Sequence, residues 1–182
     1  MFDFINMTPV QITGQIFGFV AMALALFSFQ VRRSKYILLF QAFAAVFWVA
    51  HFFMLGAISA AALSAITVVR NLMYMLRDKM SARTFSKLPI IAIGAFVFIT
   101  FFTYEGPLTL LPLFGSIAAT FAFYVKNENL IRLLSISVSI AWIIYNAING
   151  SIAGVMNEAL SMVSITVSLI RYRKLGFNKN SK

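Results

Sequence analysis

Glu158 is the residue whose type and setting point most directly to chemistry. No Asp, Glu, Lys or Arg occurs from Leu133 to Asn157, and none again from Ala159 until Arg171. An acid inside an apolar run of membrane length is costly, and such acids face the bundle interior or a water-filled path. There Glu158 can bind a polar solute, carry a proton with that solute, or tie helices together by hydrogen bonds. Asn157 beside it and the two tryptophans, Trp48 and Trp142, are the groups expected to share a pocket with it, plain packing being the other use of the indoles. Arg70 is the second charge inside an apolar run. Its long stem is expected to snorkel to the nearer interface, with an ion pair or anion contact as the functional alternative. Asn71, Asn146 and Asn149 are secondary polar candidates.

Other chemistry is not written in the chain. There is no GxGxxG, no GxxxxGK[ST], no HExxH and no cysteine, and the one histidine is His51. No second ligand stands at metal-binding spacing from it, so His51 is expected to be an aromatic packing residue with one polar contact. No catalytic residue, metal site or cofactor is expected, and the protein is not read as an enzyme.

The elements that must hold these residues are membrane spans. Of 182 residues, 61% are hydrophobic and 11% charged, against about a quarter charged in soluble domains. The net charge of +10 is confined to clusters at the ends of apolar runs: Arg32, Arg33 and Lys35; Arg70 through Lys87; Lys126 and Arg132; Arg171 through Lys182. Pairs of spans separate the clusters, so all four come out on one face, as the positive-inside rule requires of a cytoplasmic side. The partner they imply is the lipid bilayer and its anionic headgroups rather than nucleic acid.

Hydropathy divides the chain into seven spans. The first, 11–31, carries Gly14 and Gly18 on one face, where backbones can approach closely within the bundle or in a homo-oligomer. Residues 36–69 contain no charge, yet as one helix they would be ~51 Å long, far beyond a ~30 Å core. The run must fold back, and Gly56 is the expected turn between spans 36–55 and 57–76. The fourth span, 88–104, is expected to open at Pro89 after a basic loop. Spans 108–125, 130–149 and 151–171 follow, with Gly150 as the last turn and residues 174–182 as a mobile basic tail.

A shift of 94 residues lays Trp48 on Trp142, His51 on Tyr145, Gly56 on Gly150, Ile58 on Ile152, Ala65 on Ala159, Val69 on Val163 and Arg77 on Arg171. This reads as an internal duplication. The expected fold is therefore an all-α integral membrane protein of seven transmembrane helices. Residues 1–79 form a first triple-helix repeat, 80–106 a basic loop and linker span, 107–173 a second, parallel repeat, and 174–182 the tail. The N-terminus is expected outside and the C-terminus in the cytoplasm.

Triple-span parallel repeats joined by one span resemble the SWEET and SemiSWEET sugar transporters of the PQ-loop group. The Pro-Gln that ends the first span of each unit in that group is matched by Phe29-Gln30, and its place in the second unit is held by Val125-Lys126. The Trp-x-x-Tyr-Gly of the second span is matched by Trp48-x-x-His51 and Trp142-x-x-Tyr145-Asn146. The resemblance implies that the third span contributes to the solute pocket, through Ser64 in the first unit and Asn157 or Glu158 in the second. In length, in the FQVRRSKYILLFQ stretch from Phe29 to Gln41 and in its lone intramembrane acid, the chain is still more similar to the YgjV-type bacterial inner-membrane proteins. That resemblance implies a location, the bacterial inner membrane, and no activity.

Two readings remain open on the sequence. In one, the protein transports a small polar solute by alternating access, with Trp48, Ser64, Trp142, Asn157 and Glu158 lining the site and Glu158 coupling to protons. In the other, the helices are a scaffold or partner-binding subunit, in which the Gly14 and Gly18 face matters most and Glu158 is a structural hydrogen-bonder.

Overall fold

A computed structural model describes the backbone of residues 7–28, 34–124 and 128–179, and side chains through Thr166 except at positions 34, 123, 128–133 and 135. Phe29-Gln30, Val125-Lys126 and the extreme tail lie outside the described residues. Seven α-helices and two short 3₁₀ turns make up the described chain: α1 (Pro9–Ser28), α2 (Ser34–Met54), α3 (Ile58–Met75), a turn at Arg77–Lys79, α4 (Ala82–Phe102), a turn at Pro107–Thr109, α5 (Leu110–Tyr124), α6 (Glu128–Ile148) and α7 (Ile152–Lys179). Among the described residues, four segments are long and apolar enough to cross a membrane: Pro9–Ser28, Lys35–Met54, Ile58–Met75 and Ala82–Phe102. Shorter apolar stretches run over Pro107–Ala122, Ile136–Ile148 and Ile152–Thr166.

The helices turn their small residues inward. In α1 the buried residues are Gly14, Gln15, Gly18, Ala21, Ala25 and Ser28, spaced by threes and fours so that they share one face. The opposite face exposes Val10, Ile12, Ile16, Phe19, Val20 and Phe27. This reverses the pattern of a soluble bundle and suits a lipid solvent, where close backbone packing rather than apolar burial holds helices together. The same holds in α3, which buries Ser59, Ala60, Ala61 and Ser64, and in α4, which exposes Ile90, Ile91, Phe98, Phe101 and Phe102.

Packing closes the helices into a ring. α2 packs along both α1 and α3, and α6 along both α5 and α7; α4 touches α3 and α5, α1 meets α7, and α3 meets α5. The two tight turns have one geometry. After α2, Gly56 takes a φ of 80°, and Ala57 N–H donates to the Phe52 carbonyl at 2.9 Å; after α6, Gly150 takes a φ of 68°, and Ser151 N–H donates to the Asn146 carbonyl at 2.9 Å. A left-handed residue after the last turn, closed by this six-to-one bond, is the Schellman cap that favours glycine. The flanking bonds Leu55 to His51, Ile58 to Gly56 and Ala61 to Ala57 also recur 94 residues later, as Asn149 to Tyr145, Ile152 to Gly150 and Val155 to Ser151.

Two boundaries differ from expectation. The α4 helix begins at Ala82, not at Pro89, because the Ser81 side chain accepts the Thr84 N–H at 3.2 Å and caps the helix there. Pro89 is thus inside the helix. The α7 backbone stays helical to Lys179, into the segment expected to be a mobile tail.

Close approach depends on glycine at Gly14, Gly18, Gly115 and Gly154. A Cβ on Gly18 would lie 2.6 Å from His51 Nδ1 and 2.8 Å from the Ala153 methyl, and one on Gly115 would overlap the Trp142 ring nitrogen. Gly94 faces open space. Gly18→Ala and Gly115→Ala are each expected to lower stability by about 1–3 kcal/mol through overpacking. Gly94→Ala should be neutral or raise it by up to ~1 kcal/mol. Unfolding midpoints of the three variants in detergent micelles check this; equal effects at all three positions would remove the close-packing account.

Candidate functional site

The turns bring α2 and α6 together through their aromatic residues. Trp48 stacks on Phe52 with ring centres 5.6 Å apart and 25° between planes, and Phe52 stacks on Trp142 at 5.8 Å and 27°. One continuous stack therefore joins the first three helices to the last three. Ala57, Ala60 and Ala61 of the first turn and α3 pack with Phe52 and Tyr145 against it. Small residues there let the rings approach the α3 backbone.

Below this stack lies a cavity of about 240 Å³. Its wall includes all five residues that the sequence marks as a solute site: Trp48, Ser64, Trp142, Asn157 and Glu158. Glu158 is not alone in it. The Asn157 amide donates to Glu158 Oε1 at 3.0 Å, and the Ser139 hydroxyl also bonds the carboxyl. Gln41, Thr67, Ser116 and Ser161 add neutral polar groups. A wall that mixes two indoles, several amides and hydroxyls and two charges is the composition of a pocket for a small polar molecule.

Arg70 does not snorkel. It is 5% exposed and lines the same cavity. Its Nε and Nη2 donate to Asn71 Oδ1 at 3.2 and 3.1 Å, and its Nη1 donates to Thr120 Oγ1 at 3.1 Å and to the Ser116 carbonyl at 3.4 Å. The Phe96 ring centre lies 5.8 Å from the guanidinium carbon, within cation–π range. Acceptors supplied by α5 and by the adjacent Asn71 replace the water that snorkelling would reach.

His51 departs from expectation as well, for it makes two polar contacts and not one. Fully buried, it places Nδ1 2.7 Å from the Gly14 carbonyl and Nε2 2.7 Å from Ser151 Oγ. A carbonyl only accepts, so the Nδ1 proton is directed at Gly14. Ser151 Oγ in turn accepts the Gly154 N–H at 3.1 Å. Beside this pair, Gln15 Nε2 donates to the Gly150 carbonyl at 2.7 Å. The α6–α7 turn is thereby fastened to α1 and α2. Gly14 and Gly18 serve this junction, the first against Met54 and Leu55, the second against His51 and Ala153.

Sequence reasoning missed Phe52, Gln41, Thr67 and Ser161 as lining residues. A signal for three of them was available: Phe52 lies 94 residues before Asn146, and Thr67 lies 94 before Ser161. Gln15 also gave a signal as the polar residue amid the apolar first helix.

A ring of helices, apolar outside and with a cavity whose wall mixes apolar and polar groups, defines a polytopic membrane protein. The chain belongs to the Imp-YgjV family of bacterial inner membrane proteins, whose family model matches residues 12–175. It is a multi-pass protein of the bacterial inner membrane. No curated protein and no solved structure matches the sequence.

The junction at His51 yields a coupling prediction. His51→Phe leaves the Gly14 carbonyl and the Ser151 hydroxyl unmatched, and Ser151→Ala removes the partner of both His51 and the Gly154 N–H; each should cost about 1–3 kcal/mol. Because both variants break one shared bond, the double variant should lose less than the sum of the singles. Additivity within about 0.5 kcal/mol in a thermal-unfolding cycle would mean that the two residues act independently.

Proposed function

We propose that the protein carries a small polar solute across the inner membrane by alternating access, with the central cavity as its binding site. The observation that carries this reading is the pairing of the cavity wall. Trp48 and Trp142, Phe52 and Asn146, Ser64 and Glu158, and Thr67 and Ser161 are each 94 residues apart, and all eight face one chamber. The turn hydrogen bonds recurring at the same interval support two parallel triple-helix units, α1–α3 and α5–α7, with α4 as linker and the cavity on the axis between them. Parallel-repeat transporters hold solute at such an interface and rock one unit against the other.

The orientation follows the charge. Arg77, Lys79, Arg83 and Lys87 gather at the α3–α4 connection, which the positive-inside rule assigns to the cytoplasm. The Gln15 bond to Gly150 brings the start of α1 to the α6–α7 turn, so the N-terminus and the tight turns lie outside. Trp48, Trp142, Ser64, Asn157 and Glu158 line the solute site, and Glu158 exchanges a proton during the cycle. Seven spans complete the reading.

Water access is the first test, and the cysteine-free chain suits it. A thiol introduced by Asn157→Cys should react with a charged, membrane-impermeant thiol reagent, whereas one introduced by Ser59→Cys, buried outside the cavity wall, should not. An inert thiol at 157 would favour a packed scaffold. For the proton, Glu158→Gln in liposomes should abolish accumulation driven by a pH gradient while exchange persists at saturating solute; unchanged accumulation would remove Glu158 from coupling. Solutes for that assay come from a thermal-shift screen, where a ligand at 100 times its Kd adds ~2.7 kcal/mol.

A further inference from the structure

The cavity walls are paired by position but not by charge. Glu158 stands where the first unit has Ser64, and Arg70 stands where the second has Ser164. Among the described lining residues these two alone are ionisable. Glu158 lies six residues into α7 and Arg70 twelve into α3. Both helices start from the same end of the bundle, so the two residues' Cα positions are offset by ~9 Å along the axis. The chamber therefore has an anionic level nearer the turns and a cationic level nearer the basic loop.

A second observation specifies the anionic level. Asn146 is 2% exposed and lines the cavity, and its Oδ1, closed in beside that cavity, has no hydrogen-bond partner among the described residues. Its amide rests against Gly154, one helical turn above Glu158 on the same face of α7. A buried acceptor left without a donor is costly. An orphan carbonyl oxygen and a carboxylate one turn apart are matched by a group with several N–H donors and a positive charge, which describes a primary ammonium.

Resting on the transport reading above, we propose that the solute is a small zwitterion. Its ammonium lodges between Asn146 Oδ1 and the Glu158 carboxylate, and its carboxylate points toward Arg70. A chamber of about 240 Å³ admits a small solute. The axial offset favours molecules whose two charges are several bonds apart. The guanidinium, already held by Asn71, Thr120 and Ser116, acts through its charge.

The test uses the full chain in detergent with four probes of similar size: γ-aminobutyrate, butylamine, butyrate and erythritol. Binding is read from titration of the thermal midpoint and from protection of a Ser161→Cys thiol against a charged reagent. γ-Aminobutyrate should bind at least tenfold more tightly than each other probe and should protect the thiol. Glu158→Gln should weaken γ-aminobutyrate at least tenfold while leaving butyrate unchanged or tighter, since the repelling carboxylate is gone. If that variant does not fold, Asn146→Leu should show the same selective loss. Erythritol or butylamine binding as tightly as γ-aminobutyrate overturns the zwitterion, as does undiminished γ-aminobutyrate binding by Glu158→Gln. A thiol at 161 that reacts and that γ-aminobutyrate does not protect overturns the solute class but leaves the water path standing. A thiol that never reacts removes the path, and the transport reading with it.

Discussion

Inside a bilayer there is no water to satisfy a polar group, so every hydroxyl, amide and charge placed there must find its partner within the protein. That constraint explains the junction of Gln15 and His51 with the α6–α7 turn. The His51 ring joins the Gly14 carbonyl to the Ser151 hydroxyl, and the Gln15 amide reaches the Gly150 carbonyl. These bonds are possible because Gly14 and Gly18 present no side chain and α1 can press against α2 and α7. Small residues on the inner faces and large apolar ones outside follow from the same cause. Polar bonds and close backbones hold the interior, and lipid accepts what would form the core of a soluble bundle.

The strength of the contacts is unevenly distributed. α2 packs along both of its neighbours in the first triplet, as α6 does in the second, while the triplets meet along narrower contacts, α1 against α7 and α3 against α5 among them. Across that seam lie the His51 and Gln15 bonds and the Trp48–Phe52–Trp142 stack. A hydrogen bond contributes about 1 kcal/mol net and a favourable ring pair about 0.5–1.5 kcal/mol. Separating the triplets at the turn end therefore costs a few kcal/mol. Taking a triplet apart would expose a whole helix face. The seam is where motion is cheapest.

Much of this was legible in the residues. Charge-free runs too long for one helix dictated the hairpins, and Gly56 and Gly150 located their turns, because a tight Schellman cap needs a left-handed residue. Glu158, Asn157 and the two tryptophans could be picked out as an acid, an amide and indoles deep in apolar runs, and Ser64 through the resemblance to parallel-repeat transporters; the structure brings all five to one chamber. What remained hidden were choices among partners. Arg70 was expected to snorkel because nothing local reveals that Ser116 and Thr120, on a distant helix, will stand beside it. His51 looked singly bonded because Ser151 is a hundred residues away. Pro89 was taken as a helix start because the Ser81 cap competes with it only once the backbone is drawn.

The relation of Glu158 to Ser64 and of Arg70 to Ser164 carries the synthesis one step further. Two units with the same turns and the same tryptophan positions would, if identical in charge, build a chamber with no electrical direction along its axis. Placing one acid after the second turn and one base after the first gives the chamber a polarity while keeping the paired turns. A directional field orients a dipolar solute and resists one of the wrong charge, because desolvated like charges repel strongly at short range. On the proposed reading, divergence at these two positions gives a paired shell an electrical direction.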